Sequence, residues 1–131
     1  MAAFSNYLED QITGWIAGTS MTAPTATFVQ LYNGDPTDSG SGGTALFTRY
    51  QVASGAGSWT RGTGGNGTIT NASAFTITSS ATATASATHV AVWDASAAGN
   101  LLFYGALTTA KTIAVGDEVK FNTSALTLTV A

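Results

Sequence analysis

The sequence predicts a mainly β protein, an antiparallel β-sandwich or a jelly-roll-like barrel with one N-terminal amphipathic helix. Only the first stretch of the chain has apolar residues at helical spacing. From residue 25 onward, short runs of β-branched and aromatic residues alternate with Gly, Asn and Asp turn signals, at intervals of roughly 8–12 residues. No domain boundary is visible within the 131 residues. We therefore predict a single structural domain over 1–131, with the helix at 4–17 and the sandwich at 25–130.

The predicted helix has one apolar face. Its apolar residues follow the spacing i, i+4, i+8, i+11 and i+12: Phe4, Leu8, Ile12, Trp15 and Ile16. Asn6 followed by Glu9 resembles an N-terminal capping box, and Gly18 is placed to end the helix. A helix of about 14 residues is only marginally stable alone. Its apolar face must therefore pack either on the protein's own sheet or on a neighbouring subunit.

Period-two patterns and turn signals divide the rest of the chain. Strands are predicted over 25–32, 45–52, 68–70, 75–78, 89–94, 101–107, 112–115, 118–121 and 125–130. We interpret residues 33–43 and 53–67 as loops because they are rich in Gly and Ser and contain turn-forming dipeptides. The alternation of Ala with Ser and Thr over 79–88 is compatible with either a strand or a loop.

The alternation of side chains along the strands selects a candidate core. The expected core residues are Val90, Val92, Leu102, Tyr104 and Phe121. Trp93 and Phe103 then face the other way, unless a bulge intervenes. Two large aromatic residues on that face would form an apolar patch of the kind that marks interfaces. We therefore expect Trp93 or Phe103 to be covered by the helix or by another chain.

Together with the helix face, these positions define the candidate interface. Its residues are Leu8, Ile12, Trp15, Ile16, Trp93 and Phe103.

The composition excludes several classes of protein. Four Lys or Arg residues against seven Asp or Glu residues leave no basic footprint for nucleic acid. An apolar fraction of 44% with a net charge of −3 is not typical of a disordered chain. Without Cys there is no disulfide framework. No apolar run approaches the ~20 residues that cross a bilayer, so no membrane association is expected. The N-terminus lacks the features of a secretory signal, so we expect synthesis in a cytoplasm.

No recognisable catalytic set is present, so we expect a protein that is not an enzyme and has no catalytic residues. The single histidine, His89, opens a strand, and no Ser lies in a G-x-S-x-G turn. A glycosidase would need a pair of carboxylates. The candidates are Asp35, Asp38, Asp94, Asp117 and Glu118. Three of these lie in turns, where Asp bonds nearby backbone N–H groups.

Metal and cofactor sites are not indicated either. Asn33, Asp35 and Asp38 offer oxygen ligands for Ca²⁺, but their spacing is not that of an EF-hand. The Gly-rich segment 62–67 lacks the Lys of a phosphate-binding loop. One His and no Cys leave no zinc site. We therefore expect no metal and no cofactor.

The predicted surface suits permanent packing in an assembly. Ala, Thr, Gly and Ser make up 73 of the 131 residues, and only 11 residues are charged. Small uncharged side chains cost little to desolvate and lose little rotamer entropy on burial. We therefore expect a homo-oligomer, with a trimer favoured, whose contacts are mainly uncharged.

Several segments resemble one family of small virion proteins of tailed phages. The segments that are similar are 3–12 with Trp15, 28–32, 35–38, 89–94, 99–107, 116–121 and 126–128. The similarity extends over nearly the whole chain and is weakest over 39–88. Its motifs are structural rather than chemical, so the resemblance implies a virion component without enzyme activity, assembled on the phage particle.

The resemblance leaves two virion locations open. Members of this family are commonly labelled tail-fibre proteins, whereas other small β-rich virion proteins are capsid decoration, or cement, proteins. We favour a decoration protein that contacts the major capsid protein, because no shaft-like repeat occurs in the sequence. The alternative is a tail-fibre or receptor-binding module that contacts tail components or host surface sugars. A small carbohydrate-active enzyme is a third, less favoured hypothesis.

Overall fold

The computed structural model describes residues 2–54, 58–65 and 67–129. Its elements are β1 (Ala2–Phe4), α1 (Asn6–Ile16), β2 (Ala26–Asn33), β3 (Thr44–Ala45), β4 (Tyr50–Ser54), β5 (Trp59–Arg61), β6 (Thr68–Asn71), β7 (Phe75–Thr78), β8 (Ala85–Trp93), β9 (Leu101–Ile113), β10 (Glu118–Phe121) and β11 (Thr127–Thr129). The predicted fold class is confirmed: the protein is mainly β, with one helix near the N-terminus. No helix in the described ranges has the length and apolar character needed to span a membrane.

Three antiparallel sheets make up the fold. The largest has six strands in the order β1-β9-β8-β2-β3, and β4 also pairs with β2. Two smaller sheets consist of β10 with β7, and of β11-β6-β5. Of the two architectures predicted, the jelly-roll-like barrel is wrong, because the sheets do not close into a barrel.

The main core joins all three sheets. It contains Val29 and Val92 from the six-stranded sheet, Ile77 from β7, and Leu128 from β11. Aromatic pairs connect the layers across the core. The ring of Trp59 meets that of Phe103 edge-on at 5.8 Å, and the rings of Tyr50, Phe75 and Phe121 are stacked at 5.5 and 4.9 Å. Burial of this apolar surface between the layers is the main term that stabilises such a fold.

The second face of the six-stranded sheet is also buried. A separate cluster of Tyr32, Ala91, Trp93 and Leu101 lies there. The loop that follows β2 covers it: Pro36 is fully buried, and a Cβ added to Gly40 would lie 2.5 Å from the Trp93 ring. Two-sided burial explains why β2 is buried at four successive positions instead of alternating.

A register shift between β8 and β9 changes which side chains share a face. Leu101 pairs with Trp93, and Phe103 pairs with Val92. An advance of two residues along β9 therefore matches an advance of one residue along β8, which is a β-bulge. Phe103 therefore lies in the main core with Val92, whereas Trp93 lies in the second cluster. The prediction that Trp93 and Phe103 face the same way is wrong, for the reason anticipated, a bulge.

Two of the five expected core residues are buried, and the other three are only half-buried. Val90 and Val92 are buried, while Leu102, Tyr104 and Phe121 are half-buried and pack against the two clusters.

Several predicted strand boundaries need correction, and the largest differences are as follows. The predicted loop at 53–67 contains the strand β5. The predicted strands at 101–107 and 112–115 are one long strand, β9, and the predicted strand at 45–52 is divided between β3 and β4. In each case pairing with a neighbouring strand, rather than local propensity, sets the boundary.

The helix begins two residues later than predicted because Phe4 belongs to β1, paired with Phe103. The N-cap is Ser5, not Asn6: its Oγ accepts from the Leu8 N–H at 3.2 Å and donates to the carbonyl of Leu101. The predicted stop is confirmed, because Gly18 follows the helix with a φ of 94°.

Candidate interaction surface

The end of α1 exposes large apolar side chains. In the described part of the chain, the exposed large apolar residues are Trp15 (63% exposed), Ile16 (74%), Met21 (48%) and Val115 (62%). Trp15 and Met21 border one shallow depression together with residues 18–20. An exposed Leu or Val alone needs no explanation, but adjacent large apolar side chains indicate a contact surface.

The two halves of the helix have different environments. The N-terminal half is attached to β9, because the Ser5 N–H donates to the Leu102 carbonyl at 3.1 Å and β1 pairs with β9 immediately before it. It is also attached to the loop after β2, since the Asn6 N–H donates to the Asp38 carbonyl at 3.2 Å. The C-terminal half has no such attachment in the described residues, and no helix residue is fully buried. The apolar face of the helix therefore continues past the sheet.

A groove of about 340 Å³ adjoins this exposed end. The helix supplies Tyr7, Leu8 and Gln11, β9 supplies Leu102, Asp94 follows the end of β8, and residues 21–24 close the third side. Met21 borders both the groove and the depression beside Trp15. We call the exposed side chains of Trp15, Ile16 and Met21, together with this groove, the helix-end surface.

Acidic residues lie on the helix and beside the groove. Glu9 and Asp10 are exposed on the helix, and Asp94 borders the groove. The pKa of Tyr104 is raised, first by burial and then by the negative charges of Asp35, Asp38 and Glu9. These three carboxylates therefore lie near Tyr104, and the bond from the Asn6 N–H to the Asp38 carbonyl places Asp38 beside the N-terminal end of the helix.

The six predicted interface residues have three different environments. Trp15 and Ile16 are exposed, and Leu8 and Ile12 are half-buried. Trp93 and Phe103 are each 6% exposed and have contacts within the chain. The Arg49 guanidinium lies 3.6 Å from the centre of the Trp93 ring, and Trp59 packs against Phe103. The structure thus brings the exposed helix residues together, separate from Trp93 and Phe103.

The sequence did not reveal the roles of two residues, Met21 at the helix-end surface and Arg49 beside Trp93. Met21 follows the helix stop and belongs to no periodic pattern, so its only signal was an apolar residue in a polar segment. Arg49 belongs to no motif of the sequence, so only the structure assigns it a role. Its Nη1 donates to the carbonyls of Ala95 and Ala98 at 2.8 and 2.5 Å, which ties the β8–β9 loop to the start of β4.

The polar residues considered for catalysis make local structural bonds. Asp94 accepts from the backbone and side-chain N–H groups of Asn100 at 2.6 and 2.8 Å. Asp35 accepts from the Thr37 N–H, and Asp117 accepts from the Ala114 N–H, each at 2.8 Å.

His89 lies within β8, not at the start of a strand as the sequence predicts, because the strand begins at Ala85. His89 Nδ1 lies 2.9 Å from the hydroxyl of Thr88. Among the residues that the structure describes, no three His, Cys, Asp or Glu side chains are grouped so as to hold a metal ion.

Comparison with protein families gives the class of protein. The family model described as "Podophage GP4 fiber I protein gp80" matches residues 3–129. The chain therefore belongs to this family of phage fibre proteins, and it is a phage structural protein and a virion component. A search of curated proteins finds no match to the chain.

Proposed function

We propose that this chain is a structural subunit of a phage fibre, without enzyme activity, and that the helix-end surface attaches it to a neighbouring virion subunit. The observation that supports this role is the exposure of Trp15, Ile16 and Met21 together in a member of a fibre-protein family. Large side chains of these types commonly supply much of the binding energy at protein interfaces.

The anatomy of the surface fits this role. An apolar centre with a polar rim is the usual arrangement of a protein interface. The helix presents Trp15 and Ile16 at the centre, and Gln11, Thr19 and Ser20 lie beside them. Burial of a tryptophan and an isoleucine would add roughly 1.5–3 kcal/mol each to the contact.

The experiment is incorporation of a variant into phage particles. Trp15→Ala combined with Ile16→Ala should leave folding nearly unchanged, because substitutions of exposed residues usually change stability by less than about 0.5 kcal/mol each. Incorporation into purified particles should fall at least about tenfold, which corresponds to about 1.4 kcal/mol of binding free energy. Val115→Ala is the matched control, since Val115 is equally exposed on a turn elsewhere. Normal incorporation of the folded double variant would contradict the proposed attachment.

A capsid decoration protein is the second candidate. The chain has only 11 charged residues and no shaft-like repeat, which suits close packing on a shell as well as attachment to a fibre. Antibody labelling of particles in the electron microscope separates the two roles: few copies on the tail support the fibre subunit, and many copies over the head support the decoration protein.

We also propose that copies of this chain associate with one another, as a trimer, through uncharged surfaces. Four cations and seven acids are too few for a dense network of ion pairs between copies. Self-association should therefore change little between about 0.1 M and 1 M salt, although the Debye length falls from about 10 Å to 3 Å. Sedimentation at both salt concentrations is the measurement, and a stable monomer at low salt would refute self-association.

A further inference from the structure

We infer that Asn33 is a latent deamidation site, and that the hydroxyl of Thr88 protects it in the folded protein. The chain contains two Asn-Gly dipeptides, at 33–34 and 66–67, and Asn66 lies outside the described residues. At Asn33 the structure shows the reactive dipeptide together with a side chain bonded to the nitrogen that would react.

The reaction needs only the chain and water. The backbone nitrogen of Gly34 attacks the side-chain carbonyl carbon of Asn33 and forms a new C–N bond. The bond from that carbon to the side-chain nitrogen breaks, and ammonia leaves with the proton of the attacking N–H. Water then opens the five-membered imide at either carbonyl and gives aspartate or isoaspartate. Glycine at the second position favours the attack because it has no Cβ to hinder the approach and its backbone turns freely.

Backbone conformation, rather than burial, is what can protect Asn33. The residue is exposed, so water reaches its side chain, and it is the last residue of the strand β2. Closure of the imide requires the side chain and the Gly34 nitrogen to lie on the same side of the Cα–C bond, whereas an extended backbone turns them apart. The peptide between Asn33 and Gly34 must therefore rotate out of the strand before the reaction can start.

Thr88 holds this peptide in place. The backbone ladder between β2 and β8 ends where Tyr32 pairs with His89. Beyond that pair, the Gly34 N–H donates to Thr88 Oγ1 at 2.9 Å. A rotation that brings the Gly34 nitrogen to the side chain of Asn33 breaks this bond.

The acceptor and the glycine are both fixed by other contacts. The Thr88 hydroxyl is part-buried, 3.4 Å from the Tyr32 carbonyl and 2.9 Å from His89 Nδ1. A hydroxyl has one proton and two lone pairs, so with its proton directed to one of these neighbours the oxygen is free to accept from Gly34. The Gly34 carbonyl oxygen lies so close to Gly43 that a Cβ added there would be 2.8 Å away.

The location gives the modification a structural consequence. Asn33 pairs with Thr44 of β3, and the loop that begins at Gly34 continues to Gly40, which lies against Trp93. Isoaspartate lengthens the backbone by one carbon atom, and either product adds a negative charge. Deamidation would therefore disturb the pairing with β3 and loosen the loop that covers the second cluster.

Peptide mapping by mass spectrometry tests the protection. Trypsin places Asn33 in the peptide 1–49 and Asn66 in the peptide 62–111, so the two sites are measured separately. The folded protein is incubated in mildly alkaline buffer below its unfolding transition. Thr88→Val, which removes the hydroxyl and keeps the shape, should raise the deamidation rate at Asn33 by about 2- to 10-fold, the effect of one ordinary hydrogen bond. Thr88→Ser, which keeps the hydroxyl, should stay close to the wild type.

Two controls separate local protection from global stability. Gly116→Ala changes a glycine with a φ of 77° and open space around it, so it should destabilise the protein without altering the rate at Asn33. The wild type unfolded in guanidinium chloride should deamidate at Asn33 faster than the folded wild type. Equal rates for folded and unfolded wild type would overturn the inference. A Thr88→Val rate at or below that of the wild type would also overturn it, as would an equal rise in Gly116→Ala.

Amide hydrogen exchange in the wild type is a second measurement, and it applies even if Thr88→Val does not fold. The Gly34 N–H should exchange at least about fivefold more slowly than in the unfolded chain, because its bond to Thr88 must open first. Nuclear magnetic resonance resolves this amide from its neighbours. Exchange at the rate of the unfolded chain would show that the peptide turns freely and would overturn the protection of Asn33.

Discussion

At the scale of single residues, Asn71 is the polar side chain with the most structural bonds in the core. It is fully buried at the end of β6. Its Oδ1 accepts from the Leu126 N–H at 2.9 Å, and its Nδ2 donates to the carbonyls of Ser73 and Asn122, both at 2.8 Å. The side chain thus joins β6 to the segment before β11. Buried polar groups of this kind are costly to leave without partners.

The first prediction concerns Asn71→Ala. The substitution should lower the free energy of unfolding by about 2–4 kcal/mol, because it leaves the buried Leu126 N–H without its acceptor and removes the bonds to the carbonyls of Ser73 and Asn122. Urea unfolding monitored by circular dichroism measures the change. Asn122→Ala is the control, since Asn122 is exposed, and we expect a change below about 0.5 kcal/mol. Equal effects of the two substitutions would contradict the structural role of Asn71.

A second polar network lies behind Trp93. The Tyr32 hydroxyl donates to Gln30 Oε1 at 2.9 Å, and Gln30 Nε2 donates to the Phe47 carbonyl at 2.6 Å. Burial raises the pKa of Tyr32 above its ordinary value, an effect that the positive charge of Arg49 partly offsets. Burial likewise lowers the pKa of Arg49. The network therefore favours a neutral phenol beside a half-buried guanidinium.

The second prediction follows from the raised pKa of Tyr32. Above about pH 10, an unfolded chain releases the phenolic proton before the folded protein does, so the free energy of unfolding falls as pH rises. Tyr32→Phe should lose less stability than the wild type between about pH 9 and 11, although it is less stable at neutral pH by about 1 kcal/mol because one hydrogen bond is lost. Thermal unfolding across this pH range is the measurement. Parallel pH curves for the two proteins would refute the assignment.

At the scale of elements, Ser5 connects the helix to the sheet. It is 1% exposed, caps α1 and bonds to β9. Because β1 and the cap are held on β9, the direction of α1 is set at its first turn rather than by burial of its apolar face.

The third prediction is the cost of removing that cap. Ser5→Ala should destabilise the protein by about 1–3 kcal/mol, because the N-cap bond and the bond to the Leu101 carbonyl are lost together. Differential scanning calorimetry measures the shift in melting temperature. Ser20→Ala, at an exposed position after the helix, should have little effect. A melting temperature of Ser5→Ala equal to that of the control would show that the helix is held by other contacts.

The loop after β2 is shaped by its close approach to the sheet. Gly40 has a φ of 71°, in the left-handed region, and lies against the Trp93 ring. Gly116 has a similar φ of 77° but open space where a Cβ would lie. A comparison of the two glycines therefore separates the cost of a left-handed backbone conformation from the cost of a steric contact with Trp93.

The fourth prediction compares alanine at these two glycines. Gly116→Ala should cost about 1–2 kcal/mol, the penalty of a left-handed conformation for a residue with a Cβ. Gly40→Ala should cost about 1–3 kcal/mol more than Gly116→Ala, because the ring of Trp93 must move. Urea unfolding of both variants measures the difference. Equal costs would mean that the loop does not pack on Trp93.

At the scale of the whole molecule, the main core draws residues from all three sheets. Trp59 illustrates the connection: its ring packs on Phe103 of the six-stranded sheet, and its Nε1 donates to Thr27 Oγ1 at 2.9 Å. The small sheets of two and three strands bury little surface by themselves, and isolated small sheets of this kind are marginal in water.

The fifth prediction is therefore one cooperative unfolding transition. Tryptophan fluorescence and far-ultraviolet circular dichroism should give the same urea midpoint, because loss of either small sheet exposes the shared core. Two separate transitions would show that the chain consists of more than one folding unit. The measurement is made at several protein concentrations, because self-association shifts the apparent stability.

Much of the fold could be predicted because it depends on local patterns. The helix, its Gly18 stop and most strands follow from apolar spacing and turn residues that a reader can see in a window of about ten residues. The alternation of Val90 and Val92 placed them in the core correctly. The exposed pair Trp15 and Ile16 was selected as interface from helical spacing alone, although the same spacing could not tell an exposed face from one covered by the sheet.

The remaining features depend on contacts between distant segments. Because of the β8–β9 register shift, Phe103 lies in the main core. The strand β5 lies in a segment too rich in Gly to indicate a strand, and its pairing with β6 accounts for it. The loop at Gly40 lies against Trp93, whereas the sequence predicts that the helix or another chain covers Trp93 or Phe103. Strand pairing, register and loop closure join residues tens of positions apart, and no local period encodes them. The exposure of the end of α1 also depends on distant contacts, because the attachments of the helix to β9 and to the loop after β2 lie at its first turn.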